Sequence, residues 1–419
     1  MRSRKTADGQ REAAGMTRHN LRHLRVFLAV AETGSVTRAA ELCHVSQPAV
    51  TQTLARIEAL AGTQLFTRTP RGLFAAPAGT VLANRVRRAL QLLDTALAGI
   101  SPRLKVTATT GQLEALIAAH ETENFTLAAR QLGLAQPTVH RAVTQLEREA
   151  GRPLFERTAY GMIATRPAQA LSQAARLAFS ELAQADADLA ELRSEEAGRL
   201  VIGAMPLSRS YLLPKALAAF RALRPNLPVQ LLEGPYADLL ASLRRGGTDM
   251  LIGALRDPLP IGDVEQQELF SDTLVIVCGK AHPLLAEPSP TLEQLADYPW
   301  VTARKDTPTR QHFDRLFQPL AQEKPLRIVE SGSVILMREL LDVSEHLGCI
   351  SRLQAEAEIS RGLMRALPVD LAHTSRPIGI TIRRGWLPTA AQQQFLDLLR
   401  GMAAFLPQET VNLNNTSLP

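Results

Sequence analysis

Residues Leu24 to Gly72 read LRVFLAVAETGSVTRAAELCHVSQPAVTQTLARIEALAGTQLFTRTPRG, and residues Leu113 to Gly161 read LEALIAAHETENFTLAARQLGLAQPTVHRAVTQLEREAGRPLFERTAYG. The two stretches align without a gap at an offset of 89 residues, and 18 of their 49 positions are identical. An ungapped match of that length means two copies of one small fold. Each copy opens with apolar residues at helical spacing, Leu24, Phe27, Leu28 and Ala31 in the first, and Leu113, Leu116 and Ile117 in the second. That spacing predicts an amphipathic helix. Cap-type residues, Ser35 to Thr37 and Asn124 to Thr126, precede Ala39-Ala40 and Ala128-Ala129, small pairs that let a second helix approach closely. A short turn, His44-Val45-Ser46 or Gly133-Leu134-Ala135, leads into Gln47-Pro48 or Gln136-Pro137. Proline is tolerated in a first helical turn, so a third helix starts there and ends at Gly62 or Gly151.

Two short helices joined by a tight turn form a helix-turn-helix, whose second helix enters the major groove of DNA with its N-terminus foremost. Leu65-Phe66-Thr67-Arg68 and Arg71-Gly72 then predict a short hairpin wing with arginine aimed at phosphate. The runs AAELCHVSQPAV and LFTR, with the PAG at Pro77 to Gly79, resemble the DNA-binding head of LysR-type transcriptional regulators. AARQLGLAQPTV and LFER in the second copy resemble the same head. The resemblance implies DNA-contacting positions at Ser46, Gln47, Pro48, Ala49, Val50, Thr51 and Gln52, with Arg56 further along the helix and Arg68 and Arg71 at the wing. Gln47 and Gln52 suit adenine edges, whereas Thr51, Arg56, Arg68 and Arg71 suit phosphates.

The copies are not equivalent. The second replaces Ser46 by Ala135, Ala49 by Thr138, Thr51 by His140 and Arg71 by Tyr160, and departs from the family's usual SQPAVS run. It keeps Gln136 and Arg157 and places Arg141 at the Gln52 position. Either the second head has lost DNA contact, or Gln136, Thr138, His140, Arg141 and Arg157 read a different sequence. Charge divides similarly: residues 1–102 carry a formal +8, residues 103–166 +2 and residues 167–419 −4. A basic head on a slightly acidic body is what phosphate neutralisation by one end would require.

Each copy is followed by a Leu/Ala-rich run of helical period, residues 78–98 and 167–193. The family has a long linker helix here that dimerises antiparallel against a partner subunit, so the duplication extends to that helix. The expected organisation is a disordered tail (1–19, with Met16 a candidate true start), a first winged helix-turn-helix (20–76), its linker helix (77–102), a second head (103–166), a linker or dimerisation helix (167–197), an effector domain (198–405) and a tail (406–419).

From Gly198 strand and helix signals alternate. Residues 199–204, 229–233 and 249–254 predict strands around helices at 212–223 and 239–245, the βαβαβ order of a parallel sheet. A second set runs from Leu269 to Leu341 and Gly348 to Ser351, and 363–367 and 378–383 should return to the first lobe before a closing helix at 389–402. Two α/β lobes resemble the periplasmic-binding-protein-like sensor of the same family, lobe I at about 198–268 and 365–405 and lobe II at about 269–364. The fold class is therefore α/β, two tandem winged helix-turn-helix units followed by a two-lobed domain. Ligands bind such sheets beyond the carboxyl ends of strands, where helix N-termini offer free N–H groups. Those places carry Leu207, Ser208 and Arg209, then Tyr236, then Thr302, Arg304 and Lys305, then Ser331. They suit a small polar effector, and the arginines and Lys305 favour an anionic one. Tyr236, bulky where many relatives carry a small hydroxyl residue, implies a different ligand shape.

At 419 residues, with 45% hydrophobic and 21% charged composition, the chain has room for two to four domains. Its three cysteines, Cys43, Cys278 and Cys349, sit at no metal-ligand spacing, so reduced thiols, no metal and no cofactor are expected. His19 and His23 are at helical spacing but lie beside a polar tail. No GxSxG, GxxxxGK, GxGxxG or HExxH occurs, which argues against an enzyme. A sequence-indifferent architectural DNA protein is the remaining alternative, disfavoured by the large α/β body. The reading predicts a cytoplasmic regulator whose partners are double-stranded promoter DNA, a small-molecule effector, a homodimer or homotetramer mate, and RNA polymerase.

Overall fold

The computed structural model describes residue 16 and residues 20–404, apart from residues 71, 160, 260, 306, 321 and 323. It divides into two compact units, residues 1–199 and 200–419.

In the first unit, α1 (Leu21–Thr33), α2 (Val36–Cys43) and α3 (Gln47–Ala61) lead into the hairpin β1 (Phe66–Thr69) and β2 (Gly72–Ala75), then α4 (Pro77–Ile100). After the short α5 (Leu104–Thr107) the pattern repeats as α6 (Thr110–Thr122), α7 (Phe125–Leu132), α8 (Gln136–Ala150), β3 (Phe155–Thr158), β4 (Gly161–Ala164) and α9 (Arg166–Leu192). Local chemistry sets the helix starts. Asn20, Ser35 and Ser46 accept from the N–H groups of Arg22, Arg38 and Ala49, and Thr109 with Gln112 forms a capping box. The alanine pairs do let helices meet: Ala39 and Ala40, like Ala128 and Ala129, are buried.

The repeat extends to individual bonds. Glu58 accepts from the N–H of Leu65 (2.9 Å) and Phe66 (3.2 Å), tying the wing to α3, and Glu147 does the same for Leu154 (2.8 Å) and Phe155 (3.2 Å). Glu32 pairs with Arg87 at 3.1 Å, and the equivalent Glu121 pairs with Arg176. Both wings turn through a glycine at positive φ, Gly72 at 132° and Gly161 at 138°, a conformation that a Cβ would resist.

The linker helices differ from expectation in their partner. The resemblance implies a partner subunit for a helix of this kind, but α4 and α9 pack on one another within the chain. Leu82, Val86, Leu93 and Leu97 share a buried core with Leu171, Ala175, Ala178, Leu182, Ala185 and Leu189. The tail expected over 1–19 also needs correction at Met16, which is buried and donates its N–H to Asp186 at 3.0 Å. A buried apolar side chain with a backbone bond is anchored; the other residues of that tail, His19 among them, and residues 405–419 lie outside the described ones.

The second unit holds two five-stranded sheets. Lobe I contains β5 (Leu200–Ala204), α10 (Pro206–Ser210), α11 (Leu212–Leu223), β6 (Val229–Leu232), α12 (Tyr236–Arg244), β7 (Met250–Ala254) and β8 (Val264–Asp272). Lobe II follows with β9 (Leu274–Cys278), α13 (Leu292–Ala296), β10 (Trp300–Thr302), α14 (Pro308–Phe317), β11 (Ile328–Glu330), α15 (Val334–Val343), β12 (Leu347–Ser351), α16 (Arg352–Ile359) and β13 (Arg365–Ala366). The chain then returns to lobe I through β14 (Arg376–Arg383) and ends in α17 (Ala390–Ala404). The strand orders are β6-β5-β7-β14-β8 and β11-β10-β12-β9-β13.

Two lobe boundaries are corrected. The segment expected to re-enter lobe I at 365 is β13, whose Arg365 pairs with Cys278 of β9 in the lobe II sheet. The chain re-enters lobe I only at Arg376, opposite Asp272. Residues 269–272, expected in lobe II, finish β8, which runs antiparallel along β14 in lobe I. Both shifts arise because β9 and β14 each accept a second antiparallel neighbour, a pairing that local sequence does not encode.

Candidate DNA interface and effector site

On α3 the two faces are sharply different. Val50, Thr53, Leu54, Ile57 and Ala61 are buried, whereas Gln47, Pro48, Thr51, Gln52 and Arg56 are exposed. Ser46 and Thr51 have local roles, the first capping the helix through the Ala49 N–H (3.4 Å) and the second donating to the Gln47 carbonyl (3.2 Å). The side chains left to reach outward are Gln47, Gln52 and Arg56, with Arg68 exposed on β1 opposite Leu73. Arg71 lies outside the described residues.

The second head offers the same face with different chemistry. Val139, Val143, Leu146 and Ala150 are buried, and Gln136, Thr138, His140 and Arg141 are exposed. Ala135 has no side chain to cap α8, so the Ser46 cap is lost. The His140 ring meets Phe125 edge-on at 5.1 Å, and Arg157 is exposed on β3 opposite Met162.

In the second unit the expected ligand positions separate into distinct groups. Ser208 is wholly buried and donates to the Met205 carbonyl at 2.8 Å, and Leu207 joins the lobe I core. Arg209 pairs with Glu233, and Ser331 accepts from the Ser333 N–H at 3.1 Å. These four make local contacts. Arg304 is exposed, and its carbonyl accepts from Thr307, the cap of α14. Tyr236 is half-buried beneath the Arg256 guanidinium, 4.4 Å from its ring centroid, and burial pushes its phenol up. Thr302, at the carboxyl end of β10, is fully buried and its hydroxyl has no partner.

Sequence reasoning missed the residues that join the lobes. Arg376, which begins β14, faces Asp272, which ends β8, at 3.6 Å, and both are buried. Asp272 also accepts from the Ser351 hydroxyl and from the Leu353 N–H at 3.4 Å. Burial pushes the Asp272 carboxyl up despite Arg376, and pulls the Arg376 guanidinium down. Two Arg376 nitrogens, Nε and Nη1, have no partner. Thr302 pairs in register with Cys349 of β12, and Cys349 lies within electrostatic reach of Arg376. A buried hydroxyl on β10 of the lobe II sheet and a buried cation at the start of β14 in the lobe I sheet are thus each incompletely satisfied, and an anionic ligand would supply the acceptors that Arg376 lacks. A groove of about 690 Å³ between α11 and α17 is lined by Leu223, Leu398 and Met402 among others, and by neither Thr302 nor Arg376.

The thiols fit a structural role. Burial pushes those of Cys278 and Cys349 up to about 12, far from the thiolate needed for redox or metal chemistry. Among the described residues no helix is long and apolar enough to cross a membrane, and no cluster of metal-ligand side chains occurs.

Comparison with known proteins matches this architecture at both ends. The model described as bacterial regulatory helix-turn-helix protein, lysR family, matches twice, at residues 21–80 and 110–169, and LysR substrate binding domain matches residues 193–404. HTH-type transcriptional regulator GalR of Pseudomonas putida is 34% identical over 389 residues, covering 91% of this chain and 96% of the relative. HTH-type transcriptional regulator PcaQ of Agrobacterium fabrum is 27% identical over 288 residues, covering 67% of this chain and 90% of its own. Among solved structures, full-length OxyR of Pseudomonas aeruginosa is similar at 21% identity and a TM-score of 0.49, covering 69% of this chain and 97% of that one. With two helix-turn-helix matches ahead of one substrate-domain match, the chain belongs to the LysR family of bacterial transcriptional regulators, which combine helix-turn-helix DNA binding with an effector-binding domain.

Proposed function

We propose that the first head reads promoter DNA through Gln47 and Gln52 in the major groove, with Arg56 and Arg68 holding phosphates, and that a small anion bound by Arg376 and Thr302 modulates this reading. The observation carrying the DNA assignment is the exposed polar face of α3, set by the buried face behind it and flanked by the Arg68 wing. Amide side chains specify bases, and guanidinium groups on phosphates position without specifying. Gln47→Ala should therefore change sequence preference, costing about 1–3 kcal/mol at one base pair, whereas Arg68→Ala should weaken all DNA alike and lower the salt slope by about 1. Titrations on cognate and random duplexes over a salt series check this; identical behaviour of the two variants would refute the division of roles.

For the effector site, Thr302→Val keeps the buried shape and removes the hydroxyl. A thermal-shift screen with small mono- and dicarboxylates should find a stabilising ligand for the unaltered chain and a weaker shift for Thr302→Val, with DNA affinity unchanged in its absence. Ligand and DNA are coupled through differential affinity for two arrangements, typically 1–3 kcal/mol, a 5- to 150-fold effect. The chain acts as a regulator in the cytoplasm, without catalysis, and meets RNA polymerase at the promoter. Chains associate as dimers or tetramers through surfaces other than α4 and α9.

A further inference from the structure

The packing of α4 on α9 has a register and a polarity. Arg88 bonds to Glu181 at 3.0 Å, while Arg85, three residues earlier, bonds to Gln184, three residues later, at 2.8 Å. The helices therefore run antiparallel. The ends agree: Arg193, just past α9, donates to the Ala61 carbonyl at the end of α3, and α5, just past α4, packs on α8. With the repeat offset of 89 residues, this register sets Leu90 opposite Phe179, equivalent positions of the two copies that share one core. The first unit thus has a local two-fold relation between its heads, one at each end of a helix pair. The 24 residues of α4 span about 36 Å at 1.5 Å per residue, comparable with the ~34 Å between successive major grooves on one face of DNA.

The polar contacts break that two-fold relation. Arg85, almost wholly buried, is held by Glu181, Gln184 and Asp188, and Arg88 by Glu181. In the other copy the equivalents of Arg85 and Arg88 are Ala174 and Leu177, and those of Glu181, Gln184 and Asp188 are Leu92, Thr95 and Gly99. In a contact between identical helices every pairing occurs twice; this cluster occurs once. An α4 paired with another α4 in this register would face Arg85 with Leu92, Thr95 and Gly99. An α9 paired with another α9 would set Glu181 and Asp188 against Leu177 and Ala174. Either leaves a buried charge without a counter-ion, so the cluster selects α4 with α9 and disfavours both self-pairings.

We propose that a single chain is a complete two-headed DNA reader, in which α3 and α8 engage two half-sites of different sequence. The chain supplies both halves of the helix pair and needs no second subunit to present two heads. The half-sites differ because the exposed faces differ, Thr51 against His140 and Gln52 against Arg141, with half-buried Ala49 replaced by exposed Thr138, while Gln47 with Gln136 and Arg68 with Arg157 are kept. This rests on the DNA-reading assignment of the first head, and the experiment separates the two.

Two measurements on the full chain test it. Leu90→Cys with Phe179→Cys, in a Cys43→Ser background, should on oxidation form a disulfide within one chain and migrate as a monomer on a non-reducing gel. A predominant disulfide-linked dimer would overturn the proposal. The second measurement does not depend on that variant folding. A duplex selected from a random-sequence library by the unaltered chain is footprinted with Arg68→Ala and with Arg157→Ala. The expected result is loss of one half-site with the first, loss of the other with the second, and non-identical half-site sequences. If Arg68→Ala removed both half-sites and Arg157→Ala neither, the second head would not read DNA, the two-headed proposal would fall, and the assignment of the first head would stand. If neither variant changed the footprint, both readings would fall.

Discussion

Replacing Arg85 by leucine should loosen the α4/α9 pair by about 3–5 kcal/mol, the usual cost of removing one partner from a buried ion cluster. Arg85 is 1% exposed, and without it Asp188 loses the cation 2.8 Å away, while Glu181 keeps Arg88. Burial already pushes the Asp188 carboxyl up, and the bond from Arg85 opposes that shift. In the variant the carboxyl rises further. A carboxyl raised in the folded state adds stability at low pH and loses it as pH rises from the unfolded value through the folded one, so the defect should be smaller in acid than at neutrality. Hydrogen exchange of the α4 and α9 amides, which reports local opening, measures it. Adding Glu181→Leu and Asp188→Leu should restore most of the protection, because an apolar cluster of similar volume replaces the charges. If the triple variant were as loose as the single one, the loss would lie in packing around the Arg85 stem.

Arg376→Met should have a comparable effect at the junction of the two lobes. It leaves Asp272 buried with Ser351 and the Leu353 N–H but without the cation at 3.6 Å, again about 3–5 kcal/mol at neutral pH. Asp272 is already pushed up by burial, so acid should recover part of the loss by the same sign of linkage. Combining Arg376→Met with Asp272→Asn should recover stability in a urea melt but not the thermal shift given by an anionic ligand. Recovery of both would make Arg376 a partner of Asp272 alone, with no part in binding.

What the sequence disclosed and what it concealed follow from the range of the interactions. The heads were legible because caps, turns and a 3.6-residue apolar period are local, and because every local signal occurred twice, down to Gln47-Pro48 and Gln136-Pro137. The strand β8 was largely hidden, since Val-Glu-Gln-Gln-Glu at Val264 to Glu268 looks like polar loop until β14 lies beside it. The lobe to which β13 belongs depends on a two-residue pairing with β9 that no periodicity announces. The hydroxyls expected to face a ligand were a mixed set for a similar reason: a serine beyond a strand can cap or bond its own turn, as Ser208 and Ser331 do, and burial without a partner sets Thr302 apart from those serines. Arg376 and Asp272 are far apart in the chain and at no motif spacing, so nothing short of the fold could join them.

The presence of α4 and α9 on one chain also sets how the regulator responds to its own abundance. Heads that must meet as separate molecules assemble with the square of concentration and come apart on dilution. Heads tethered through α5 and the second copy pair at a fixed effective concentration, so the fraction paired is independent of the number of molecules present. Where one chain covers both half-sites, as proposed above, occupancy of that pair rises with the first power of chain number, whatever further assembly the chains form. A cell holding only a few copies keeps a working reader, and a related protein in the same cell cannot exchange helices with it to form mixed pairs.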